Sequence, residues 1–380
     1  HDKHSNISSE IKMLLGDDLK KITIPSKIYH NGSLIDFPLN IISLLKNLKK
    51  EELFKIGFEN FLNIFNFNGN KTNFKELAYQ RYGKTLSDLF LINYTEKLWG
   101  NDASELDPRI SGNRLKNLNI ASIVKQIFFN KFDQSHLDGS FLYPKHGFGQ
   151  IFEKVYDFIG QENVSLNSKI TKLTHDGKKI TKIYYKEKKS VKAGIVVNTL
   201  PINILADVLD PSPPKNIIEI LDSIEFRNVR LCILFLNKAK FSDNASIYFP
   251  DPSIPFNRIY EPKNRGQQMA PKNKTCIVVE SSQTFNESME SDEIFFQKVE
   301  SSLIKYGLLK KGDVFEHEEG LIPNAYPILK VGTSEKLKTA LSYFNSFENH
   351  LLHGRNAEFE YIHTHDLLLR SKMIINQIKK

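Results

Sequence analysis

Hydrophobic and polar positions follow two different rhythms along the chain, and each rhythm predicts one kind of element. From about Leu39 to Phe132, apolar residues recur at helical spacing, with capping residues and few β-branched runs, which predicts a mainly helical region. On either side of it, short alternating runs predict strands. The strongest local signal is Asn31-Gly32 between two such runs, which predicts a hairpin turn.

The second half of the chain predicts strands and helices in alternation. The run Gly194–Pro201 is apolar and ends in small residues and a proline, which indicates a buried parallel strand that enters a turn. Because no repeat or low-complexity linker separates the segments, we expect domains that interweave. The other expected elements are strands at Val164–Leu166, Ile170–Leu173 and Ile180–Tyr185, a helix after Gly149, a β-rich block over about 226–282, and a tail of helix, short strand, loop and helix over 326–375.

Composition narrows the classes of partner. The net charge is +8 and the pI is about 9.1, which agrees either with an anionic partner such as a nucleotide or nucleotide-sugar, or with an AT-rich coding bias. The lysines are scattered and form no basic stripe, so we expect no nucleic-acid partner. No apolar run reaches the ~20 residues of a membrane span. Cys232 and Cys276 stand alone, so neither zinc nor a disulfide is expected, and a reducing cytoplasm fits best.

Searches for common catalytic motifs leave the catalytic residues unknown. The chain contains no Walker A motif, no HExxH and no GxSxG. Gly147-Phe148-Gly149 resembles part of a dinucleotide-binding turn, but the third glycine position is Phe152, so alone it indicates a tight turn before a helix. The pair His363 and His365 has no neighbouring set of carboxylate and histidine ligands, and no metal site is expected.

An ordered set of short phrases, spread over nearly the whole chain, carries more information. The set resembles the FAD-dependent flavoproteins that are similar to amine oxidases, protoporphyrinogen oxidase and UDP-galactopyranose mutase. Its members are Leu14–Asp18 with Ser26–Tyr29, Tyr94–Gly100, Glu105-Leu106, Arg114–Lys116, Tyr143–Lys145 with Gly147 and Gly149, Asn198–Pro201, Ile247-Tyr248, Arg258-Ile259, Pro271, Thr275, Glu280, Ala325–Pro327 and Gly354–Asn356 with Phe359 and Tyr361.

The resemblance implies an α/β fold with an FAD-binding Rossmann-like (GR2-type) domain. That domain is expected to interweave with an antiparallel-sheet substrate domain and a helical domain. The glycine-rich βαβ segment of such a domain is expected to precede His1, so the chain is expected to be truncated at its N-terminus. The implied boundaries are 1–19, 141–205 and 325–380 for the FAD-binding domain, 20–40 and 206–324 for the substrate domain, and 41–140 for the helical domain.

FAD is the cofactor that the resemblance implies. Gly354-Arg355-Asn356 follows the apolar pair Leu351-Leu352, and a strand that ends there would present backbone N–H groups to a ligand. The chain departs from the family after Tyr361, where His365 replaces an expected carboxylate. The candidate cofactor-binding residues are Gly147, Gly149, Ile170, Asn198, Thr199, Leu200, Gly354, Arg355, Asn356, Tyr361 and His365.

The resemblance implies an FAD-dependent oxidoreductase acting on a small or nucleotide-linked substrate. Two alternatives stay open: an isomerase of the UDP-galactopyranose mutase kind that uses reduced flavin, and a non-catalytic relative that cannot hold FAD. A pair of arginines converging on the site would favour the isomerase, and a hydrophobic cavity would favour the oxidase. Arg114 and Arg258 are candidates for binding an anionic substrate group, although surface salt bridges would also explain them, and Tyr326 is expected beside the flavin.

Overall fold

The computed structural model describes residues 5–63, 71–111, 140–186, 189–283 and 290–379. Strands and helices alternate along it, and the α/β class expected from the sequence is confirmed. The strands are β1 (Leu19–Thr23), β2 (Ser26–His30), β3 (Ser33–Phe37), β4 (Ser140–Pro144), β5 (Ile170–His175), β6 (Ile180–Tyr185), β7 (Lys189–Lys192), β8 (Val196–Asn198), β9 (Leu209–Asp210), β10 (Phe226–Leu236), β11 (Ser246–Tyr248), β12 (Arg258–Tyr260), β13 (Thr275–Gln283), β14 (Val314–Pro327) and β15 (His350–Leu352).

Helices connect most of these strands. Among the described residues, none of the helices combines the length and the apolar character needed to cross a membrane. The α-helices are α1 (Ser5–Leu15), α2 (Ile41–Asn47), α3 (Lys50–Asn63), α4 (Phe74–Tyr82), α5 (Lys84–Ser87), α6 (Asn93–Trp99), α7 (Gln150–Ile159), α8 (Ile202–Val208), α9 (Lys215–Asp222), α10 (Asp292–Lys305), α11 (Thr333–Phe344) and α12 (Thr364–Ile378).

The chain forms two compact units, which we call unit 1 and unit 2. Unit 1 is built from Leu15–Gln150 and Arg227–Ala325. Unit 2 is built from most of α1 together with Ile151–Phe226 and Tyr326–Lys380. The three-domain boundaries expected from the sequence stay a prediction.

A seven-stranded, mostly antiparallel sheet forms the centre of unit 1. Its strand order is β14-β10-β13-β12-β11-β2-β3. The pairs β10/β13, β12/β13, β11/β12 and β2/β3 are antiparallel, and only the pairing of β11 with β2 is parallel among those with a described register. The strands β2 and β3 come from a part of the chain about 200 residues before their neighbours, so the sheet is interwoven as expected.

One face of this sheet is covered by α10. Alternate residues of β11, β12 and β13 point to this face, while phenylalanine, valine and leucine recur along α10 at helical spacing. The two sets form one buried apolar cluster, which fixes the register of the short strands. Its central members are Ile247, Ile259, Val279, Phe295, Val299 and Leu303.

The hairpin predicted at Asn31-Gly32 is confirmed. Asn31 and Gly32 have φ angles of 47° and 82°, both in the left-handed region that a two-residue hairpin turn requires. Lys27 and Asp36 form a cross-strand ion pair behind the turn. The Asn40 side chain then donates to the Asp36 carboxylate at 2.7 Å and accepts from the Ser43 N–H at 2.8 Å, which caps α2.

Helices fill the described part of the region that was expected to be helical. Asn40 and Asn73 cap α2 and α4, as their side-chain preferences predict.

Unit 2 contains two small sheets. The strands β7, β6, β5 and β9 form a four-stranded sheet in that order, and β8 pairs with β15 in parallel. The parallel strand predicted within Gly194–Pro201 is therefore confirmed.

Three expectations about elements were incomplete or wrong. Val164–Leu166 forms no strand, because a short 3-10 turn at Gln161–Asn163 precedes it and no partner strand pairs with it. The sequence reading also missed α10 and the long strand β14, whose many charged residues hide the alternation.

A buried charge group joins β10, β14 and α10 in unit 1. Arg230, whose side chain is only 2% exposed, donates to Asp292 Oδ1 at 2.7 Å, and its Nε lies 3.8 Å from Glu319 Oε2. The Glu319 oxygens are buried without a nitrogen or oxygen donor among the described residues. Burial raises the pKa of Glu319, although the Cys232 thiol and Arg230 act in the opposite direction.

The variant Glu319→Gln tests this buried carboxyl. A carboxyl with a raised folded-state pKa stabilises the fold when protonated, and that contribution is lost as the pH rises from the unfolded-state pKa of about 4.3 through the folded one. We expect the urea midpoint of the parent to fall more between about pH 5 and about pH 8 than that of Glu319→Gln. The exposed neighbour Glu318 supplies the control, Glu318→Gln, which should follow the parent. Equal pH dependence in all three proteins would contradict the assignment.

Candidate functional site

The parallel strands β8 and β15 of unit 2 end at the same edge. Their register pairs His350 with Val196 and Leu352 with Asn198. One residue further on, the His353 N–H donates to the Asn198 carbonyl at 2.9 Å. The carboxyl ends of parallel strands are where α/β folds bind ligands, so the segments that leave these strands define the candidate site.

The turn after β8 contains three predicted cofactor residues. Asn198 is buried, and its side-chain amide donates to the Leu200 carbonyl at 3.4 Å. Thr199 faces Gly354, where an added Cβ would lie 3.9 Å from the Thr199 Cβ. The Ile202 N–H at the start of α8 donates to the Asn356 carbonyl at 3.2 Å. The structure therefore brings the turn at 198–200 against the loop at 354–356.

The loop after β15 has a specific backbone shape. Gly354 has a φ of 112°, which L-residues with a side chain rarely adopt. Its N–H donates to the Glu358 carboxylate at 2.9 Å, and its carbonyl accepts from the Glu358 N–H at the same distance. Phe359 also lies in the left-handed region, at a φ of 51°, yet its side chain is 1% exposed and contacts Phe226 edge to face. Burial of this ring holds an unfavourable backbone conformation in place.

Arg355 lies against the rings of two tyrosines. Its guanidinium carbon is 4.6 Å from the centre of the Tyr326 ring and 4.4 Å from that of Tyr361, within the range of cation–π attraction. Its Nε and Nη2 are buried and find no hydrogen-bond acceptor among the described residues, and no described carboxylate pairs with it. The protein thus holds a positive charge by stacking and leaves its donors for another group.

Arg370 of α12 stabilises the loop after β15 through two ion pairs. It donates to Glu358 Oε1 at 3.0 Å and to Glu360 Oε2 at 2.7 Å, while the Glu360 N–H donates to the Arg355 carbonyl at 2.9 Å. These two glutamates raise the pKa of Arg370 above its ordinary value even though partial burial opposes them. Arg370 is not among the site residues predicted from the sequence. Acidic residues ten and twelve positions before Arg370 are too distant in sequence to signal such a contact.

The rings of His363 and His365 follow that of Tyr361 in a series of ring contacts. The Tyr361 and His363 rings have centres 5.8 Å apart, and the His363 and His365 rings are nearly parallel at 5.7 Å. His365 Nε2 lies 3.4 Å from Asp366 Oδ2.

Other predicted residues lie elsewhere. Gly147 and Gly149 are in unit 1, where Gly147 has a φ of 104° and its N–H donates to the Pro144 carbonyl, forming a tight turn before α7. Ile170 opens β5 opposite Tyr185 in unit 2. Arg114 falls outside the described residues. These residues therefore stay predictions that the contacts neither support nor oppose.

Arg258 lies on the strand β12 in unit 1. Its Nε and Nη2 donate to the two Glu280 oxygens at 2.8 and 2.5 Å, a bidentate ion pair. This is the salt-bridge alternative considered for Arg258 from the sequence. Glu280 neutralises the charge that an anionic substrate would need.

The phrase Tyr94–Gly100 has mainly a packing role in unit 1. Trp99 is buried, and Lys97 donates to the Phe249 and Asp251 carbonyls at 2.8 and 2.9 Å. Burial lowers the pKa of Lys97 to about 7. Gly100 has a φ of 70°, and a Cβ there would lie 2.6 Å from the Arg227 guanidinium. The phrase therefore joins the helical region to the sheet.

The described residues contain no metal centre, and neither cysteine is an activated nucleophile. No cluster of three or more histidine, cysteine, aspartate or glutamate side chains in those ranges could hold a metal ion. Both cysteines are free thiols, and burial raises the pKa of each. The site offers backbone groups, tyrosines and an unpaired arginine, which suit the binding of an anionic cofactor or substrate.

Comparisons with known proteins identify the family of this chain. The sequence profile described as UDP-galactopyranose mutase matches residues 89–311, more than half of the chain. The chain belongs to the UDP-galactopyranose mutase family. A search of curated proteins by sequence finds no match. The resemblance to FAD-dependent flavoproteins that the sequence phrases indicated is confirmed.

Solved structures agree with this membership. Reduced UDP-galactopyranose mutase superposes with a TM-score of 0.81 at 16% identity, covering 93% of this chain and 76% of that one. A protein described as a protoporphyrinogen oxidase from Exiguobacterium sp. 255-15 gives 0.74 at 13% identity, covering 98% and 84%. Putrescine oxidase bound to putrescine gives 0.62 at 14% identity, covering 99% and 86%. These likenesses establish the fold, and the families are FAD-dependent flavoproteins, so the expected cofactor is confirmed at that level.

Arg355 gives the most direct test of the site. A charge-assisted contact to an anionic group contributes about 1.5–3 kcal/mol, so Arg355→Ala in the protein expressed from its complete gene should weaken FAD retention by roughly ten- to a hundredfold. Arg355→Lys should recover only part of this, because an ammonium lacks the planar fork. Fluorescence titration of apoprotein with FAD measures both effects.

Two further variants complete that titration. Arg370→Gln should also weaken FAD retention, by less than Arg355→Ala, because it frees Glu358 and Glu360 from α12 while leaving Arg355 in place. Arg109→Gln is the control, since Arg109 is exposed and pairs only with Asp107 among the described residues. If Arg355→Ala retained FAD like the control, the ligand would lie on another side of this loop.

Proposed function

We propose that the protein is an FAD-dependent isomerase that acts on a nucleotide-linked sugar, in the manner of UDP-galactopyranose mutase. Membership of that family supports the proposal, and the enzyme class is supported at the level of FAD-dependent oxidoreductases and isomerases. FAD would be held by the turn at 198–200 and by the loop at 354–356. Bound there in its reduced form, FAD would supply a nucleophilic ring nitrogen.

The observation that carries the proposal is the charge of Arg355 against the rings of Tyr326 and Tyr361. Its donors are unused by the described residues, and its position at the strand edge suits the phosphate groups of FAD or of a nucleotide-sugar. The protein's contribution would then be to bind and orient: Arg355 would attract the anionic group, and the two tyrosine rings would hold the guanidinium in position. Arg370 maintains the loop that carries Arg355.

A second candidate is an amine oxidase, because putrescine oxidase shares the fold. The two tyrosines lie with ring centres 6.1 Å apart, and an amine bound beside them would be a cation. The Arg355 guanidinium already contacts both rings, so a cationic substrate there would meet a like charge. This geometry disfavours amines and favours a substrate that carries negative charge.

One assay separates the alternatives. The protein expressed from its complete gene and loaded with FAD is incubated with UDP-galactopyranose, once oxidised and once reduced with dithionite, and sugar isomers are separated by chromatography. We expect interconversion only with reduced flavin, and no peroxide from putrescine with oxidised flavin. Peroxide formation without interconversion would show an oxidase. Loaded flavin without either reaction would exclude both substrates, and failure to load flavin would support the non-catalytic alternative.

A further inference from the structure

Almost all of the net charge of the chain lies in one short segment of unit 2. Residues 169–192 contain nine lysines against two carboxylates, Asp176 and Glu187, which gives a net charge of +7 where the whole chain carries +8. The rest of the chain is therefore close to neutral. An AT-rich coding bias would spread lysines along the chain, so it does not explain this concentration, and the even scatter of lysines expected from the sequence does not hold here.

Three antiparallel strands are formed by this segment. β5 pairs with β6, and β6 pairs with β7, which is the outer strand of the sheet. Asp176 closes the turn between β5 and β6, because its carboxylate accepts the N–H groups of Lys178 and Lys179 at 2.9 and 2.8 Å. Every residue of β7 is exposed. We call the strands β5, β6 and β7 with their turns the basic sheet.

One face of the basic sheet is polar across all three strands. Side chains alternate along a strand, so two cross-strand rows of residues share this face. The rows are Thr174, Lys182 and Lys192, and Lys172, Tyr184 and Ser190. The opposite face carries the apolar row of Leu173, Ile183 and Val191. The two polar rows therefore hold three lysines and no carboxylate.

Two of these lysines lie at directly opposed positions. Lys182 of β6 is the register partner of Lys192 of β7. Both side chains are exposed, and neither forms an ion pair with a carboxylate among the described residues. Like charges that oppose each other across a sheet are destabilising. Stability alone would favour a neutral or acidic residue at one of the two positions, so the arrangement indicates a role in binding.

Most of the other lysines of the segment are also without a neutralising partner. Lys172 pairs with Asp210 at 3.3 Å, and Lys179 pairs with Glu348 at 3.1 Å. The lysines that are exposed and have no carboxylate partner among the described residues are Lys169, Lys178, Lys182, Lys186, Lys189 and Lys192. They lie on the polar face and at both ends of the strands, so their charge is spread over the surface of the sheet.

The chemistry of this surface favours a broad anionic partner over a single phosphate group. The segment contains no arginine, the residue whose planar fork binds one phosphate in a bidentate manner, whereas lysine ammonium groups act as hydrated point charges. The ring of Tyr184 is covered by Lys172, whose Nζ lies 5.2 Å from the ring centre, so this side of the ring is not free to stack on a nucleic-acid base. Charges spread over a sheet match anionic head groups spread over a plane.

We propose that the basic sheet binds the anionic head groups of a membrane surface and holds the protein at that membrane. The binding is peripheral and electrostatic, and a lysine close to an anionic leaflet strengthens it about fivefold. The proposal does not depend on the reaction of the enzyme, because Lys182 and Lys192 belong neither to the turn at 198–200 nor to the loop at 354–356.

Co-sedimentation with lipid vesicles tests the proposal. The protein expressed from its complete gene is mixed with vesicles of phosphatidylcholine alone, or of equal parts phosphatidylcholine and phosphatidylglycerol. It should sediment with the phosphatidylglycerol vesicles at about 0.1 M salt and be released at about 1 M, because the Debye length falls from about 10 Å to about 3 Å. Equal binding to both kinds of vesicle, or binding that salt does not weaken, would overturn the proposal.

A double variant locates the binding surface. Lys182→Gln combined with Lys192→Gln should weaken vesicle binding about twenty-fivefold, while the urea midpoint should not fall, because a like-charge pair has been removed. The control combines Lys215→Gln with Lys338→Gln, which lowers the net charge equally at exposed lysines of unit 2 that already pair with carboxylates. The control should bind like the parent. Equal vesicle binding by the Lys182 and Lys192 double variant and the parent would contradict the inference.

A measurement on the parent protein identifies the bound surface without any variant. Lysines are acetylated with and without phosphatidylglycerol vesicles, and the modified positions are located by mass spectrometry. The vesicles should protect Lys182, Lys189 and Lys192 several-fold and leave Lys215 unchanged. Equal acetylation of the first three lysines in both samples would overturn the proposal. Tight binding of polyuridine RNA without binding of the vesicles would show a nucleic-acid surface and overturn the lipid assignment.

Discussion

The candidate site depends above all on the parallel pairing of β8 with β15. That pairing joins two segments about 150 residues apart and ends both at one edge, where the His353 N–H donates to the Asn198 carbonyl. Every later contact follows from it: the turn at 198–200 meets the loop at 354–356, and Arg355 is placed beside the two tyrosines. Loss of this register would separate the two halves of the site without breaking any covalent bond.

Much of the fold followed from local signals. Asn31-Gly32 predicts its hairpin because both residues must adopt positive φ, and Gly194–Pro201 predicts a parallel strand because it is apolar throughout. The strand β14 was missed, since a strand rich in glutamate carries no clear alternation. Arg355 could be found because it follows an apolar strand and sits in a family phrase.

Contacts between distant residues could not be found in this way. Nothing near Arg370 in the sequence indicates that it bonds Glu358 and Glu360, and nothing near Arg258 indicates that Glu280 neutralises it. A sequence shows which arginines exist, while only the fold shows which of them keep an unpaired charge. Arg355 emerges by that criterion, and it is held by tyrosine rings, which fix a guanidinium without neutralising it.

Whether the loop after β15 and the turn after β8 hold FAD can be measured by hydrogen–deuterium exchange. The protein expressed from its complete gene is compared with and without bound FAD. We predict slower exchange of the backbone amides at 199–200 and 354–356 when FAD is bound, with the hairpin at 26–37 of unit 1 unchanged. Bound flavin with unaltered exchange in both of these segments would contradict the assignment of FAD to this edge.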